Sequence, residues 1–235
     1  CVGTPIRNHH PKTDDVIAVT KAIVEHAAPG CLVIVRSNVP ITPTRKVILP
    51  ILESGPHSFN LAVAPDRTIE GAALAELRTL PQIIGALNLT SLELATELFK
   101  TFAPSIIPVE SLEAAEMCKL MQNSYRDVRF GFANELSSIA LDHNIDIRSL
   151  ISAANHDYPR DPLPVPSPGV GGPCLTKDPY MLDAVISNRA RDRNARQPKW
   201  IAERMSLVGR GLLHCSIAVC GIAFKGQPET MDMRG

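Results

Sequence analysis

Apolar positions in this chain follow two rhythms, short unbroken runs and longer stretches that repeat every three to four residues. Residues 13–28 repeat with helical period, Val16, Val19, Ile23 and Ala27 sharing a face, and Pro29-Gly30 ends the element. Residues 31–35 form a continuous apolar run, the pattern of a parallel strand buried on both faces. Ser37-Asn38-Val39-Pro40 turns away from it, and residues 42–54 predict a short helix broken near Pro50. Further strands are predicted over 59–64, ending in Pro65-Asp66-Arg67, over 82–87 and over 105–109. Thr90, with Glu93 three residues on, predicts a capping box for a helix to Phe102. Strands alternating with helices argue for βαβ units and a mostly parallel sheet. Such sheets bind ligands at the carboxyl ends of their strands, where the Thr4-Pro5, Ser37-Asn38 and Pro65-Asp66 turns fall.

The second half has another character. Residues 111–143 are the longest periodic segment, with Met117, Met121, Tyr125, Val128, Phe132, Leu136 and Ile139 down one stripe. A second stripe is polar: Glu116, Lys119, Asn123 and Arg126. Periodicity alone assigns that stripe to solvent, and a helix this long to an interdomain spine or a dimer interface. Asp146 predicts the cap of a further helix to Asn155. Residues 155–170 are irregular and proline-rich. Asp178-Pro179 predicts a helix start, with the aspartate as cap and the proline at the first helical position. The arginines of 188–197 read as a solvated linker or helix surface. Residues 198–212 predict a helix with Trp200, Ile201, Met205 and Val208 inward, and residues 216–224 a buried strand opening a second sheet.

Charge narrows the function classes. Lys+Arg 24 against Asp+Glu 24 leaves a formal net charge of +0, which gives no general attraction to nucleic acid or to an anionic membrane. No apolar run is long enough to span a bilayer. The six cysteines are scattered, with no CxxC pair and no His/Cys metal spacing, so the expectation is a reduced, cytoplasmic protein without a disulfide framework or a bound metal.

The candidate chemistry gathers in Ser167-Pro168-Gly169-Val170-Gly171-Gly172-Pro173-Cys174-Leu175-Thr176-Lys177-Asp178. Glycines and prolines make a stiff, sharply turning loop whose backbone can approach a ligand closely. It delivers a thiol, a cation and an acid beside backbone N–H donors, which is how a thiol nucleophile is presented. A tight loop with a buried thiol and an N-capping aspartate accounts for the same residues.

Several landmarks recur together: Val2-Gly3-Thr4-Pro5, Arg36-Ser37-Asn38-Val39-Pro40, Ala64-Pro65-Asp66-Arg67, Glu116-Met117-Cys118-Lys119-Leu120-Met121-Gln122-Asn123, Phe132-Ala133-Asn134-Glu135, the Cys174 loop with Lys177-Asp178, and Gly221-Ile222-Ala223-Phe224-Lys225. In this order the set resembles the nucleotide-sugar 6-dehydrogenases, the family of UDP-glucose, GDP-mannose and UDP-N-acetylmannosamine dehydrogenases. The tail around Lys225 to Arg234 looks most like the UDP-N-acetylmannosamine branch. The resemblance implies an α/β fold: a partial Rossmann-like parallel sheet, a long central helix with an all-α dimerisation domain, and the start of a second Rossmann-like domain. The expected divisions are 1–108, 109–210 and 211–235. Against that template the chain is expected to be a fragment, lacking the glycine-rich NAD fingerprint and most of the C-terminal domain.

The resemblance also implies site residues. Cys174 would be the nucleophile, Lys119 and Asn123 would hold the oxyanion, and Asp178 would orient or deprotonate water and the substrate hydroxyl. Asp66, standing where the family usually has glutamate, would lie near the hydrolytic water. Thr4, Pro5, Asn38, Glu70, Cys174 and Lys177 would contact NAD, Asn38 standing where a threonine is common. Arg67, Lys119, Asn123, Arg160, Gly171 and Lys225 would meet the nucleotide sugar, Arg160 from a dimer mate. The implied reaction is a four-electron oxidation of a sugar CH₂OH to a carboxylate by a homodimer. Two alternatives stand beside it: a truncated, inactive dimerisation scaffold, and a one-step hydroxyacid-type dehydrogenase, which would not need the Cys174 loop.

Overall fold

The computed structural model describes residues 2–7, 9–209, 216 and 218. Its described residues divide into two compact units, one within 1–122 together with 180–182, the other within 123–179 together with the described residues from 183 on.

The first unit is a mixed α/β layer. A short antiparallel pair, β1 (Ile6–Arg7) and β2 (His10–Pro11), precedes helix α1 (Asp14–His26). The main sheet has four strands in the order β3 (Leu32–Val35), β4 (Asn60–Val63), β5 (Gln82–Ala86) and β6 (Ile106–Val109). The outer pairings, β3 with β4 and β5 with β6, are parallel; the central pairing of β4 with β5 is antiparallel. The sheet is therefore mostly parallel, as the alternation of elements predicts, with one inverted pairing.

Both faces are covered, and the strands show it residue by residue. Leu61 and Val63 of β4 pack with Val33, Val35, Val16 and Leu112 on one side. Ala62 and Ala64, pointing the other way, pack with Ile84, Ala95 and Phe99, the last two from helix α4 (Leu89–Lys100). That two-sided burial is why these strands read as unbroken apolar runs. Gly85 is required where β5 meets the next long helix: a Cβ there would lie 2.0 Å from the Ser111 carbonyl oxygen.

Local details correct the sequence reading in several places. On α1 the inward residues are Val16 and Thr20, while Val19 is exposed; Thr20 donates to the Val16 carbonyl and so spends its hydroxyl within the helix. The segment before Pro50 does not break. It winds as a π-helical turn, Thr44–Ile48, closed by Leu49 N–H on Thr44 O, and continues as α2 (Leu49–Glu53), so Pro50 sits in a first turn where its missing N–H costs little. Helix α4 is capped by Asn88, whose side chain accepts from Ser91 N at 2.9 Å, and not by Thr90. A short α3 (Ala73–Glu76) follows the Pro65-Asp66 turn.

Helix α5 (Leu112–Asp142) runs 31 residues, about 46 Å. Within the first unit, Glu116 is buried and accepts from Thr42 N (2.7 Å) and Thr44 N (3.1 Å), tying the π-turn to α5. Burial raises the Glu116 carboxyl above its ordinary value despite those bonds.

The second unit is helical: the rest of α5, α6 (Ile147–Asn155), α7 (Asp178–Leu182, its final residues counted with the first unit) and α8 (Val185–Gly209). Asp146 caps α6 as predicted, accepting from Arg148 N and Ser149 Oγ. The stretch 188–197, read as a linker or a helix surface, is the middle of α8, which passes through Pro198 without ending. Met205, expected inward, is exposed, and Trp200 is flanked by the guanidiniums of Arg193 and Arg204.

The seam between α5 and α8 is polar. Arg191, Asn194 and Gln197 on α8 are buried, as are Asn123, Asp127 and Asn134 on α5. Asn194 Nδ2 donates to Asp127 Oδ1 and to its carbonyl, each at 2.9 Å, and Asn134 Nδ2 donates to Asn194 Oδ1 at 2.8 Å. Gly131 lets the helices approach: a Cβ there would meet Ala190 Cβ at 3.0 Å. Met117, Met121, Tyr125, Phe132 and Ile139 of α5, meanwhile, are exposed, while Leu112 and Leu120 are buried. Among the described residues Cys31, Cys118 and Cys174 are thiols, and no helix is long and apolar enough to cross a membrane.

Candidate active site

The loop carrying Cys174 is built by hydrogen bonds that its sequence supplies. Ser167 N–H donates to Asn134 Oδ1 (2.9 Å) and Ser167 Oγ to the Gly169 carbonyl (2.7 Å), which fixes the entry from α5. Gly172 takes φ +91°, a left-handed value that favours glycine. Thr176 Oγ1 then donates back to Gly172 O at 2.9 Å. The Cys174 carbonyl accepts from Lys177 N (3.1 Å) and Asp178 N (2.9 Å), so residues 174–178 close as one helical turn leading into α7. Cys174 is half-buried at the start of that turn.

Asp178 is fully buried, and its carboxylate is used differently from the predicted cap. It sits at the first position of α7, whose N-cap is Lys177. Oδ2 accepts from Asn123 Nδ2 at 2.6 Å and Oδ1 from Lys177 Nζ at 2.7 Å. Three of the sequence-predicted residues thus converge: an amide from α5, an ammonium and a carboxylate from the Cys174 turn. The Asn123 amide retains a second N–H beyond the one given to Asp178. Lys119 lies one helical turn before Asn123 on α5 and is half-buried. Gly171 is buried within the loop.

Sequence reading missed the residues that hold this loop. Arg191, from the arginine-rich stretch read as solvated surface, is 4% exposed. Its Nη1 donates to Asp127 Oδ1 (2.9 Å) and to Leu175 O (3.0 Å), and its Nη2 to Val170 O (3.1 Å). Asp127 is wholly buried, and burial pushes its carboxyl up to about 6 against the pull of Arg191 and Asn194. Its Oδ2 has no protein partner. A signal existed: Asp127 lies four residues beyond Asn123, and Asn134 seven further on, so polar residues recur on one helical face.

The other predicted residues lie in the first unit. The turns after β3 and β4 leave the same edge of the sheet, because those strands are parallel. Thr4 is buried and donates its hydroxyl to the Asn38 carbonyl, while Ser37 Oγ donates to Val2 O at 2.8 Å. These bonds bring Thr4, Pro5 and Asn38 together. Asp66 accepts from Thr68 N (3.1 Å) and Thr68 Oγ1 (2.9 Å) and lies 3.4 Å from Arg36. Arg67 Nη1 donates to the Pro81 carbonyl at 3.3 Å, and its Nε is buried without a protein acceptor. Glu70 is exposed on the loop before α3. In the second unit, Arg160 is exposed, with Nη1 on the Tyr158 hydroxyl at 3.0 Å. Lys225, the strand predicted over 216–224 and the third division lie outside the described residues but for Ser216 and Ala218.

Comparison with known proteins gives a consistent set of matches. Residues 1–103 match the UDP-glucose/GDP-mannose dehydrogenase family, NAD binding domain, and residues 113–198 match that family's central domain. The UDP-N-acetyl-D-mannosamine dehydrogenase of Escherichia coli (strain K12) is 32% identical over 259 residues, taking in 99% of this chain and 61% of that protein. The chain therefore spans about three-fifths of the length of that curated relative. Among solved structures, the UDP-D-ManNAc dehydrogenase of Pyrococcus horikoshii aligns with TM-score 0.81 at 31% identity, covering 90% of this chain and 53% of that one. The UDP-N-acetyl-mannosamine dehydrogenase Cap5O of Staphylococcus aureus aligns with TM-score 0.83 at 28% identity, covering 94% and 55%.

Proposed function

We propose that this chain, which belongs to the UDP-glucose/GDP-mannose dehydrogenase family, carries the thiol chemistry of an NAD-dependent oxidation of a nucleotide sugar's C6 alcohol to the uronic acid. The names of its relatives favour UDP-N-acetylmannosamine as the substrate. The observation that carries this reading is the Asn123–Asp178–Lys177 cluster on the turn that begins at Cys174. A carboxylate this deeply buried needs donors on both oxygens, and it receives them from the residues the chemistry calls for.

NAD⁺, when bound, supplies the hydride acceptor for the two oxidations. The residues present fit it at the sheet edge: the turns at Ser37-Asn38 and Pro65-Asp66 leave the carboxyl ends of parallel strands, where such ligands sit, and Thr4 is bonded to the first of them. Thr4, Pro5, Asn38, Glu70 and Lys177 are the residues proposed to hold it. Cys174 Sγ adds to the aldehyde carbon, giving a thiohemiacetal whose oxygen bears the developing charge. Lys119 and the remaining Asn123 N–H hold that oxygen. Water later attacks the acyl carbon of the resulting thioester, Asp178 takes its proton, and the C–S bond breaks to return the thiolate. Asp66 stays a secondary proposal for ordering that water. Arg67, Arg160, Gly171 and Lys225 are proposed to contact the sugar nucleotide.

Stoichiometry tests the reading. The protein mixed with UDP-N-acetylmannosamine and NAD⁺ is expected to release two equivalents of NADH for each uronic acid formed. One equivalent per product, as for a hydroxyacid-type dehydrogenase, would sink it.

We further propose a homodimer through α5. Met117, Met121, Tyr125, Phe132 and Ile139 are 41–57% exposed and recur every three to four residues or a multiple of that, a continuous apolar stripe on one face. Phe132→Asp is expected to turn a dimer into a monomer in sedimentation velocity. A wild-type chain that sediments as a monomer at tens of micromolar would refute the pairing.

A further inference from the structure

Arg191 belongs to no element of the proposed chemistry, yet its guanidinium is spent on the loop that carries Cys174. Its carbonyl acceptors, Val170 and Leu175, flank residues 171–174, so both ends of the segment that precedes and includes the thiol are fastened to one rigid group on α8. The guanidinium is itself fixed by Asp127, which Asn194 also holds. Five N–H donors in a planar fork suit this task, and a lysine ammonium on a flexible stem would not reach a carboxylate and two carbonyls in one plane.

We infer that the Asp127–Arg191 pair is the positioning device for Cys174: it clamps the loop so that the thiol stays at the head of the 174–178 turn. The inference rests on the reading of Cys174 as the nucleophile. Arg191 is a positioning residue, acting through Val170 and Leu175. The charged groups bonded to this stretch are Lys177 and Asp178 on the turn itself, Arg191 on α8 and, through it, Asp127 on α5.

Removing Arg191 alone strands a buried carboxylate, so the decisive variant replaces both partners by apolar residues, Asp127→Leu with Arg191→Met, a change that often leaves stability intact. The probe is iodoacetamide at one fixed pH, with labelling of each cysteine followed in time by peptide mass spectrometry. In the wild type, Cys174 is expected to be labelled at least about tenfold faster than Cys31 and Cys118 in the same protein. In the double variant that lead shrinks to about twofold or less, and amide exchange over residues 170–175 accelerates at least about tenfold. Arg191→Lys should restore neither property. A folded double variant with unchanged Cys174 labelling and unchanged exchange overturns the clamp. A wild-type Cys174 labelled no faster than Cys31 and Cys118 counts against the nucleophile reading instead, so the two failures are distinguishable.

Discussion

Cys174→Ser is expected to lower uronic acid formation by at least about a thousandfold while leaving the first oxidation step measurable. Serine keeps the size of the side chain and the turn whose carbonyl accepts from Lys177 and Asp178, so the loop has no reason to rearrange. What changes is the acidity of the nucleophile. A thiol is ionised by a few per cent at neutral pH even without help, and a hydroxyl is not. The aldehyde should then accumulate, or an oxygen ester should persist because water displaces an alkoxide far less readily than a thiolate. Product analysis by mass spectrometry separates these from acid. Undiminished acid formation would show that water attacks without Cys174, and the covalent route would fall.

Arg191→Met on its own is expected to destabilise the protein by about 3–5 kcal/mol near neutral pH, because the Asp127 carboxylate would be buried with neither oxygen paired to a cation. The penalty has a pH signature. In the folded protein Asp127 is raised, chiefly by burial, to about 6 from an ordinary 3.8, so the native state binds its proton more tightly than the unfolded chain. That contribution is fully present below about pH 4 and is lost as pH rises through about 6, on the order of 3 kcal/mol across the window. Without Arg191 the carboxyl rises further. The variant should therefore approach wild-type stability near pH 4–5 and fall furthest behind near pH 8. Asp127→Asn should abolish this difference. Urea midpoints measured across the range decide the matter, and a penalty equal at both ends would refute the account.

The sheet was the most legible part of the molecule. Strands packed on both faces leave no polar positions, so residues 31–35, 59–64 and 82–87 announce β3, β4 and β5 within a residue or two. Direction was not legible, since an apolar run reads alike either way, and the inverted β4–β5 pairing emerged only from the structure. The helical half failed differently. Burial was read from apolarity, but α5 turns Asn123, Asp127 and Asn134 inward and leaves Phe132 and Tyr125 exposed. Hydrophobic period marks the face that leaves water, and it cannot separate a face covered within the chain from one left for a second chain. Arg191 was lost to the same assumption, because its neighbours Arg189 and Arg196 are ordinary surface arginines. At the candidate site, Cys174, Lys177 and Asp178 were found by chemistry and Asn123 through the resemblance, while Asp127 and Arg191, which hold their loop, carried no motif.

The polar seam of α5 and α8 has a consequence for mispairing. Two helices joined by leucines can slide one turn, about 5.4 Å, and still bury much the same surface. Here a slip would part Arg191 from Asp127 and Asn194 from Asn134, stranding several polar groups in the dry at once. Gly131 and Ala190 would lose their close fit as well. The pairing behaves like a ratchet with a single notch, and the nucleophile's loop, which hangs from that notch by two carbonyls, inherits its precision of placement.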